Sequence, residues 1–515
     1  MKIPTLWFWV VATSIMTALP AFGARHNILL VIADDYGTDG NSLYNTNARA
    51  SLPPTPNINA LYNSGVLFRN AYSYPTCSPT RSSILTGRYG FRTGIGFAVI
   101  NNGDGLALPG NELTIPKILT ANPQLGYRHA NIGKWHLGYQ ATDPNVLGGW
   151  SHFSGSLAGR LENYSRWTKR VNGVTTTSTN YATTAAVDDS IAWIQQQGTN
   201  NWFLWLAFNA PHDPFHKPPN DLHSYDALSP SQTAVDQNPR PYYEAMAEAM
   251  DTEFGRLLNS IDRSNTVIIF LGDNGTPEEV VQPPFVSGRA KGTLYEGGIR
   301  VPMIIAGPVV REPRRENTNL VHTADLFATI LELAGADLKT VLPPNLRCDS
   351  RSLLPALTNG PVVPRKWLLS EQFHSILTPA EVGRAIRDDT FKLIQLKSGS
   401  QAFYDLLADP LERTNLISRP LTPEQTDHSA ALVAQLAELQ NFPQITGSTH
   451  SSNRFSISVD YIQGAPFSLY RSRALESNAW TRISAPSQRT NFTVILTDAN
   501  ALSGANYYRV SAPLR

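Results

Sequence analysis

The chain has few cysteines and no excess of either charge. Its 515 residues include only Cys77 and Cys348, which excludes a framework of several disulfides. A secreted chain of this size without disulfides fits a bacterial periplasm or exterior better than an animal lysosome. The 42 Lys and Arg residues nearly balance the 41 Asp and Glu residues, so no global charge directs the chain to nucleic acid or to a membrane surface.

Long apolar runs are also missing, except near the N-terminus. Residues 1–23 have the pattern of a signal peptide, with Lys2 before an apolar run over 6–19 and small residues at 21–23. That run is too short for a comfortable transmembrane helix, and no cysteine follows it that would carry a lipid. An uncleaved N-terminal anchor is the alternative. We expect a secreted or periplasmic bacterial protein without stable membrane insertion.

What the chain does have is an alternation of apolar runs and helical patterns. This alternation is typical of an α/β fold, in which a mostly parallel sheet is flanked by helices. Four apolar runs end in polar residues, and they span 27–33, 128–132, 202–208 and 266–271. The carboxyl ends of strands in such a sheet form the ligand crevice. The polar side chains after these runs are therefore predicted to meet at one rim.

Oxygen donors follow the first and last of these runs. Asp34 and Asp35 come after one strand, and Asp273 and Asn274 come after the other. Without thiolates or suitably spaced histidines for zinc, this donor set suits Ca²⁺ or Mg²⁺. An aspartate at a strand end often caps the next helix, which is the alternative for each residue alone. Two such pairs after two strands favour the metal.

Basic and imidazole side chains indicate an anion site, with Lys134 and His136 after the second of these runs and His212 after the third. Lys134 and His136 lie two residues apart, so both would face the same way in an extended segment. His212 and Lys291 add further proton-donating or cationic groups. A single histidine is about as often a core residue, whereas lysine is rarely buried without a partner.

The most specific pattern is the stretch from Cys77 to Arg88, which reads CSPTRSSILTGR. It fills every fixed position of C-x-P-x-R-x-x-x-L-T-G-R and resembles the type I sulfatases. In that family a maturation enzyme oxidises the cysteine to formylglycine, an aldehyde, on the unfolded chain. The alternative is an ordinary buried cysteine at a helix start, with Ser78 as the cap and Pro79 at the first position.

Further segments extend this resemblance over roughly residues 26–420. They occur in family order and include the IADD, GKWHLG, APH, DNG and EGGIRVP segments, followed by YDL near residue 404. The resemblance implies an enzyme of the alkaline phosphatase superfamily, similar to arylsulfatases and N-acetylgalactosamine-4-sulfatases. The implied fold is a large mixed sheet with a smaller α+β domain and a short all-β terminal module.

The resemblance also implies a cofactor and a nucleophile. One Ca²⁺ per chain would be held by the carboxylates and amide named above together with residue 77, that is, by Asp34, Asp35, Cys77, Asp273 and Asn274. The hydrated formylglycine would attack sulfur through one hydroxyl, leaving a covalent sulfate. The second hydroxyl would then lose its proton and expel sulfate.

The same resemblance implies roles for the remaining polar side chains. Arg81 and Lys134 would orient the diol, and His136 would lie near the hydroxyl that loses its proton. His212 and Lys291 would bind sulfate oxygens and protonate the leaving group, and the choice of acid between them stays open.

The expected division of the chain has four parts. After the signal peptide, 24–365 form the catalytic domain and 366–445 the smaller α+β domain, with a hairpin over 384–396 and a helix over 429–439. A polar linker over 447–453 leads to a β-rich accessory module over 454–515.

The substrate is expected to be a sulfated glycan or a small aryl sulfate, and a formylglycine-generating enzyme is the expected maturation partner. Substrate choice is expected to depend on loops at 97–110, 139–180 and 213–240. Four aromatic residues form either a sugar platform or, as we favour, part of the core: Trp150, Tyr164, Trp167 and Tyr181. A phosphonate or phosphate ester hydrolase and a non-catalytic glycan-binding protein are the alternative functions.

Overall fold

The computed structural model describes most of the chain in four long stretches, 25–100, 106–139, 143–344 and 346–440. Towards the C-terminus it describes shorter stretches, namely 445–451, 454–460, 468–473, 480–483, 487–489, 493–501 and 507–511. The predicted signal peptide lies outside the described residues, as do 101–105 and 140–142 within two of the predicted substrate loops.

A ten-stranded mixed sheet forms the frame of the molecule. Its strands are β1 (Asn27–Ala33), β2 (Gly65–Tyr72), β3 (Tyr127–Lys134), β4 (His152–Ser156), β5 (Trp167–Val171), β6 (Val174–Ser178), β7 (Asn201–Ala207), β8 (Thr266–Gly272), β9 (Met303–Ala306) and β10 (Arg315–His322). Their order across the sheet is β10-β2-β9-β8-β1-β7-β3-β4-β5-β6. The run from β8 to β4 is parallel, and so is β10 with β2, whereas β9, β5 and β6 pair antiparallel. The predicted mostly parallel mixed sheet is confirmed.

The central strand β1 shows why these apolar runs form the sheet. Leu30 pairs with Trp205 of β7 on one side and with Ile269 of β8 on the other. Its even-numbered side chains pack into one core layer and its odd-numbered side chains into a second layer on the opposite face. Since both faces are covered, an unbroken apolar run is the composition that such a strand requires.

Helices cover both faces of the sheet. They are α1 (Pro56–Leu61), α2 (Cys77–Thr86), α3 (Gly90–Thr93), α4 (Ile115–Ala121), α5 (Pro144–Leu147), α6 (Ala182–Gln197), α7 (Gln232–Gln237), α8 (Arg240–Leu258), α9 (Glu296–Ile299), α10 (Asp325–Leu333), α11 (Leu338–Val341) and α12 (Leu354–Thr358). Helix α10 packs against α2 and α4 on one face, and α6 packs against α8 on the other. None of the helices among the described residues has the length and apolar character needed to cross a bilayer.

A second, smaller sheet follows the first. It is antiparallel and consists of β11 (Leu368–Gln372), β12 (Gly383–Arg387), β13 (Phe391–Leu396) and β14 (Gln401–Asp405). Helix α13 (Pro423–Gln440) packs on β12 and β13. The predicted hairpin over 384–396 and the helix over 429–439 are therefore confirmed.

The C-terminal strands form two small antiparallel sheets. They are β15 (Ile445–Ser451), β16 (Arg454–Asp460), β17 (Ser468–Ser472), β18 (Thr481–Ile483), β19 (Ser487–Arg489), β20 (Thr493–Asp498) and β21 (Tyr507–Ser511). The prediction of a linker from residue 447 onwards is wrong, because Gly447–Ser451 pair with β16 as part of β15. Their polar composition reflects an edge strand whose Ser448 and Thr449 are exposed.

Candidate active site

The ends of β1 and β8 bring the predicted oxygen donors together. Ala33 and Gly272 pair at the end of the two strands, so Asp34 and Asp273 leave the sheet side by side. The backbone N–H of Asp35 donates to Asp273 Oδ1 at 3.1 Å, and Asn274 Nδ2 donates to Asp35 Oδ1 at 2.8 Å. All four side chains are buried. The predicted convergence of these donors at one rim therefore occurs.

Helix α2 places Cys77 in its first turn, beside this rim. Thr76 precedes the helix in an extended conformation, and the helix ends at Gly87, whose φ of 68° favours glycine. Ser78 is not the cap that the sequence suggested. Its hydroxyl donates to the His136 carbonyl at 2.7 Å and accepts from the Val99 N–H at 2.8 Å. The free backbone N–H groups of this helix start favour an anion near residue 77.

The thiol of Cys77 is poorly suited to act as a nucleophile. Burial raises its pKa to about 12, against the opposing effect of Lys134. Lys134 Nζ lies 3.4 Å from Cys77 Sγ. Since the thiolate is the reactive form, a thiol with this pKa remains largely unreactive near neutral pH.

Three cations pair with the three buried carboxylates. Arg81 Nη2 lies 2.8 Å from Asp273 Oδ2, and Lys134 Nζ lies 2.5 Å from Asp34 Oδ2. The third pair is Lys291 Nζ with the second oxygen of the Asp35 carboxylate, at 2.6 Å. Such pairs are strongly coupled, because removing one partner leaves an uncompensated buried charge.

The cations and the burial move the pKa values of the site in opposite directions. Burial alone would raise the pKa of Asp35, but Lys291, His212 and Lys134 hold it well below its usual range. Burial and the neighbouring Asp34 carboxylate raise the pKa of Asp273 to about 6. Burial, followed by the charge of Lys134, holds the pKa of His136 well below its usual range, so its imidazole is neutral at pH 7.

Two buried oxygens in this cluster indicate room for a cation. Asp34 Oδ1 and Asn274 Oδ1 accept no hydrogen bond within the described part of the chain. Ligand atoms of Asp34, Asp35, Cys77 and His212 also lie within 4.8 Å of one another. Buried acceptors without donors are costly, and a hard cation with oxygen ligands would satisfy them. The residues present therefore fit a cation of the Ca²⁺ type.

His212 is held by a residue that the sequence analysis did not single out. Its Nδ1 lies 2.9 Å from Asp213 Oδ1 and 2.8 Å from the Asp213 carbonyl oxygen. Its Nε2 lies 3.7 Å from Asp35 Oδ2, on the side of the carboxylates. The hydroxyl of Tyr164 donates to the His212 carbonyl at 2.7 Å. Position next to a candidate histidine was the only signal for Asp213 in the sequence.

Backbone geometry corrects one expectation. Strand β3 ends at Lys134, and His136 has a φ of 53°, so the two residues do not share a face of an extended segment. Asp35 is also left-handed, with a φ of 64°. Left-handed residues other than glycine are uncommon and cluster at functional sites. The imidazole Nε2 of His136 lies 2.9 Å from the Val99 carbonyl oxygen.

Comparison with known proteins decides the family. A family model described as Sulfatase matches residues 26–336, more than half of the chain. The chain belongs to the sulfatase family. A second model, described as N-sulphoglucosamine sulphohydrolase, C-terminal, matches residues 289–441 of this sulfatase. The family is one of sulfuric ester hydrolases, as the resemblance implied.

Individual relatives of this sulfatase are distant. Arylsulfatase J of Mus musculus is 26% identical over 385 residues, which is 70% of this chain and 60% of the relative. The ulvan-active sulfatase of Formosa agariphila is 27% identical over 421 residues, covering 75% of this chain and 76% of the relative. The crystal structure of Ps i-CgsB in complex with k-i-k-neocarrahexaose shares the fold, with a TM-score of 0.68 at 24% identity, covering 81% and 93% of the two chains.

Most predicted site residues of the sulfatase lie in one connected cluster, whereas the aromatic residues lie in the core. Hydrogen bonds and ion pairs link Asp34, Asp35, Cys77, Arg81, Lys134, His212, Asp273, Asn274 and Lys291. His136 joins through the backbone contact with Ser78. The roles of these residues remain predictions. The four aromatic residues are between 2% and 8% exposed, so the core interpretation is confirmed.

Proposed function

We propose that this sulfatase hydrolyses a sulfate monoester carried by a glycan, with residue 77 as formylglycine and one Ca²⁺ per chain. The net reaction takes water and the ester to an alcohol, sulfate and a proton. The observation that supports the proposal best is the pair of unsatisfied buried oxygens, Asp34 Oδ1 and Asn274 Oδ1, in the same cluster as Cys77.

The metal would be held by Asp34, Asp35, Asp273 and Asn274 together with the side chain of residue 77. Bound there, Ca²⁺ supplies positive charge for a sulfate oxygen and offsets negative charge that develops during reaction. The donor set supports this cation, because every protein group except residue 77 offers carboxylate or amide oxygen.

Residue 77 would supply an oxygen nucleophile after its conversion to the aldehyde and hydration. The encoded thiol does not serve this purpose, because burial raises its pKa to about 12. Lys134 would orient the nucleophile, since its Nζ lies 3.4 Å from Sγ, the atom that stands where the oxygen would be. Arg81 would act through Asp273 and through the Lys134 carbonyl, to which its Nη1 donates at 3.1 Å.

His136 is suited to accept a proton. A carbonyl oxygen only accepts, so the contact with Val99 places the imidazole hydrogen on Nε2 and leaves a lone pair on Nδ1. That Nδ1 is buried and has no hydrogen-bond partner among the described residues. The low pKa of His136 keeps the ring neutral before the reaction and also makes it a weak base, so it would take the proton from the hydroxyl of residue 77 only as sulfate leaves.

His212 and Lys291 would act on the sulfate group and on the leaving oxygen. Burial disfavours the charge of Lys291, but Asp35 raises the pKa of this lysine above its usual range, so it keeps its proton. We therefore assign charge stabilisation to Lys291 and protonation of the leaving oxygen to His212, whose Nδ1 is held by Asp213.

The wider setting of the enzyme is part of the same proposal. A relative named for activity on ulvan and a fold neighbour in complex with a neocarrahexaose support a sulfated glycan as the substrate. We further propose export directed by residues 1–23 and maturation by a formylglycine-generating enzyme. The proposed units are a catalytic domain over 24–365, an α+β domain over 366–445 and the C-terminal β-rich module that includes 454–515.

A combined mass and activity measurement tests the proposal. The protein is expressed with a formylglycine-generating enzyme, and the peptide containing residue 77 is weighed while turnover of 4-methylumbelliferyl sulfate and phosphate is compared. We expect the aldehyde or its hydrate, one Ca²⁺ per chain by elemental analysis, and preference for the sulfate ester. Full activity with an unmodified thiol, or preference for the phosphate ester, would contradict it.

A further inference from the structure

The connected cluster of site residues described above is here called the catalytic cluster. A cavity of about 410 Å³ lies beside it, and none of the residues of the proposed chemistry lines this cavity. Its wall is formed by residues from the end of β4 and the segment after it, by strands β5 and β6, and by a tyrosine that follows β3. They are Ser156, Leu157, Ala158, Arg160, Leu161, Glu162, Thr168, Arg170, Thr175 and Tyr139. Its size falls within the range of small-ligand pockets, about 300–1,000 Å³.

The cavity wall is built directly onto the two histidines of the site. The backbone N–H of His136 donates to the Leu157 carbonyl at 3.2 Å, and a Cβ on Gly159 would collide with the His136 imidazole. Arg160 of the same wall forms an ion pair with Asp213, the residue that holds His212. The cavity wall is therefore in direct contact with His136 and with Asp213, the residue that holds His212.

The charges of the wall do not suit a second sulfate group. Arg160 is paired with Asp213, and Arg170 lies 3.0 Å from Asp143 Oδ2. Glu162, a third acid, accepts a hydrogen bond from the Thr168 hydroxyl. Of the three acids only Glu162 lines the cavity, but each arginine is paired with an acid just outside the lining, so neither guanidinium charge is left unopposed for binding an anion.

The remaining chemistry of the wall suits a sugar ring. Leu157, Ala158 and Leu161 supply apolar surface for the C–H face of a pyranose. The hydroxyls of Thr168 and Thr175 and the two guanidinium groups supply donors and acceptors for its hydroxyl groups. Pockets with an apolar lining and a few placed polar groups are typical of small-ligand sites.

We propose that this cavity is a subsite for an uncharged sugar ring next to the sulfated residue of the glycan. The subsite rests on the proposed function for its place in the substrate, but its own ligand chemistry is independent of catalysis. It makes the 156–175 region a determinant of glycan recognition that a minimal aryl sulfate does not use.

Binding is tested without turnover. Saturation-transfer NMR is recorded with methyl galactoside, methyl rhamnoside and methyl N-acetylglucosaminide, using the matured enzyme and its Ala158→Trp variant, which fills the cavity. We expect at least one neutral glycoside to give a signal at about 10 mM that the variant loses. The matched control is Val363→Trp, which places the same bulk at a position that is 82% exposed and does not line the cavity.

Kinetics provide the second arm. Ala158→Trp is expected to lower kcat/KM for sulfated ulvan or carrageenan oligosaccharides about tenfold or more, and to leave 4-methylumbelliferyl sulfate within twofold. Thr168→Val, which removes one exposed hydroxyl, is expected to cost about threefold to tenfold on the oligosaccharide alone. This milder variant answers the question if the tryptophan variant fails to fold.

The outcomes separate the two proposals. If the enzyme hydrolyses no sulfate ester, the proposed function fails, whereas the NMR experiment still decides the subsite. If no neutral glycoside gives a signal, or if Ala158→Trp leaves the signal unchanged, the subsite proposal is wrong. It is equally wrong if a sulfated glycoside binds this cavity more tightly than its neutral counterpart.

Discussion

A comparison of two buried clusters of charged residues in the described part of the chain shows one difference between them. The catalytic cluster joins the ends of β1, β3 and β8 in the large sheet. The second, here called the Lys392 cluster, consists of Lys392, Glu296, Glu412, Tyr72 and Arg387 and joins the large sheet to the small one. Lys392 is fully buried and contacts both glutamates.

Each carboxylate oxygen of the Lys392 cluster lies within 3.1 Å of a cation or a donor. Lys392 Nζ lies 3.1 Å from Glu296 Oε1 and 2.8 Å from Glu412 Oε1. The Tyr72 hydroxyl contacts the other Glu296 oxygen at 2.8 Å, and the Glu296 backbone N–H donates to the other Glu412 oxygen at 2.7 Å. Glu412 Oε1 has this ion pair but no hydrogen bond of good geometry among the described residues. The carboxylates are thus neutralised at close range by groups of the chain itself.

The catalytic cluster, by contrast, is incomplete on its own. Asp34 Oδ1 is 3.6 Å from Arg81 Nη2, and within the described part of the chain neither this oxygen nor Asn274 Oδ1 accepts a hydrogen bond. The presence or absence of a close partner for each buried oxygen therefore distinguishes a structural cluster from a functional one. In the Lys392 cluster every carboxylate oxygen has a cation or donor within 3.1 Å. In the catalytic cluster two buried oxygens lack such a partner among the described residues, as expected of a site that takes a ligand.

The largest expected effect is the loss of the nucleophile. Cys77→Ala should lower kcat by about 10⁴ or more, because no other group can replace the residue 77 oxygen. The melting temperature should change little, since the thiol makes a single long contact of 3.4 Å with Lys134. Steady-state kinetics and thermal unfolding measure both. Cys348→Ala is the matched control and should keep full activity.

A substitution in the Lys392 cluster should instead reduce stability and leave kcat nearly unchanged. Lys392→Met leaves two buried glutamates without their cation and should reduce the free energy of unfolding by about 3–5 kcal/mol. The folded fraction should retain kcat within twofold, because Lys392 is no part of the catalytic cluster. Urea unfolding and kinetics at low temperature test this. A strongly reduced kcat with unchanged stability would show that Lys392 serves the reaction rather than the stability of the fold.

Removing a cation from the catalytic cluster should affect rate more than stability. Lys291→Ala should reduce kcat/KM about 10²–10³-fold for every sulfate ester, including an aryl sulfate without a sugar. Its side chain is 21% exposed, so the Asp35 charge that remains can be partly solvated. Parallel assays with aryl and glycan esters check the assignment. Intact aryl sulfate hydrolysis would remove Lys291 from the sulfate pocket.

The smallest expected effect is a pH dependence that comes from neither cluster. Burial, with a further contribution from Arg365, lowers the pKa of His322 to about 3, whereas an unfolded histidine titrates near 6.5. Below pH 6.5 the unfolded chain therefore binds a proton that the folded chain refuses, and stability falls as the pH drops towards 3. The contribution is about 1.4 kcal/mol per pH unit.

The variant His322→Gln should remove this part of the acid sensitivity. Urea unfolding of the two proteins at several pH values between 6 and 4 measures it. The stability of the variant should fall less steeply with decreasing pH. Parallel slopes would assign the acid sensitivity to other groups.

The sequence was most informative where local pattern and position in the fold coincide. Asp34, Asp35 and Asp273 directly follow fully buried strands, and the carboxyl ends of parallel strands meet by construction of the sheet. The cysteine motif likewise lies on one helix, α2, and ends just beyond it at Gly87 and Arg88. In both cases the chemistry-bearing residues and the element that positions them are neighbours in the chain.

Other features depend on tertiary contacts and left little trace in the sequence. His136 is not a glycine, so nothing in the sequence indicated that its backbone is left-handed. Asp213 acquires its role from the Arg160 and His212 side chains on either side of it. Lys392 and Glu296 are 96 residues apart. Packing of distant segments creates these sites, and local patterns do not encode it.

The burial of the cysteine motif constrains the order in which the chain can be modified and folded. Cys77 is 2% exposed and Arg81 is not exposed at all, and Pro79 between them is buried as well. A maturation enzyme that binds this segment would therefore have to do so before folding buries it. Under the proposed maturation, activity per molecule would depend on how much of the chain is modified before it folds, and a variant that folds faster is expected to carry less formylglycine and to be less active.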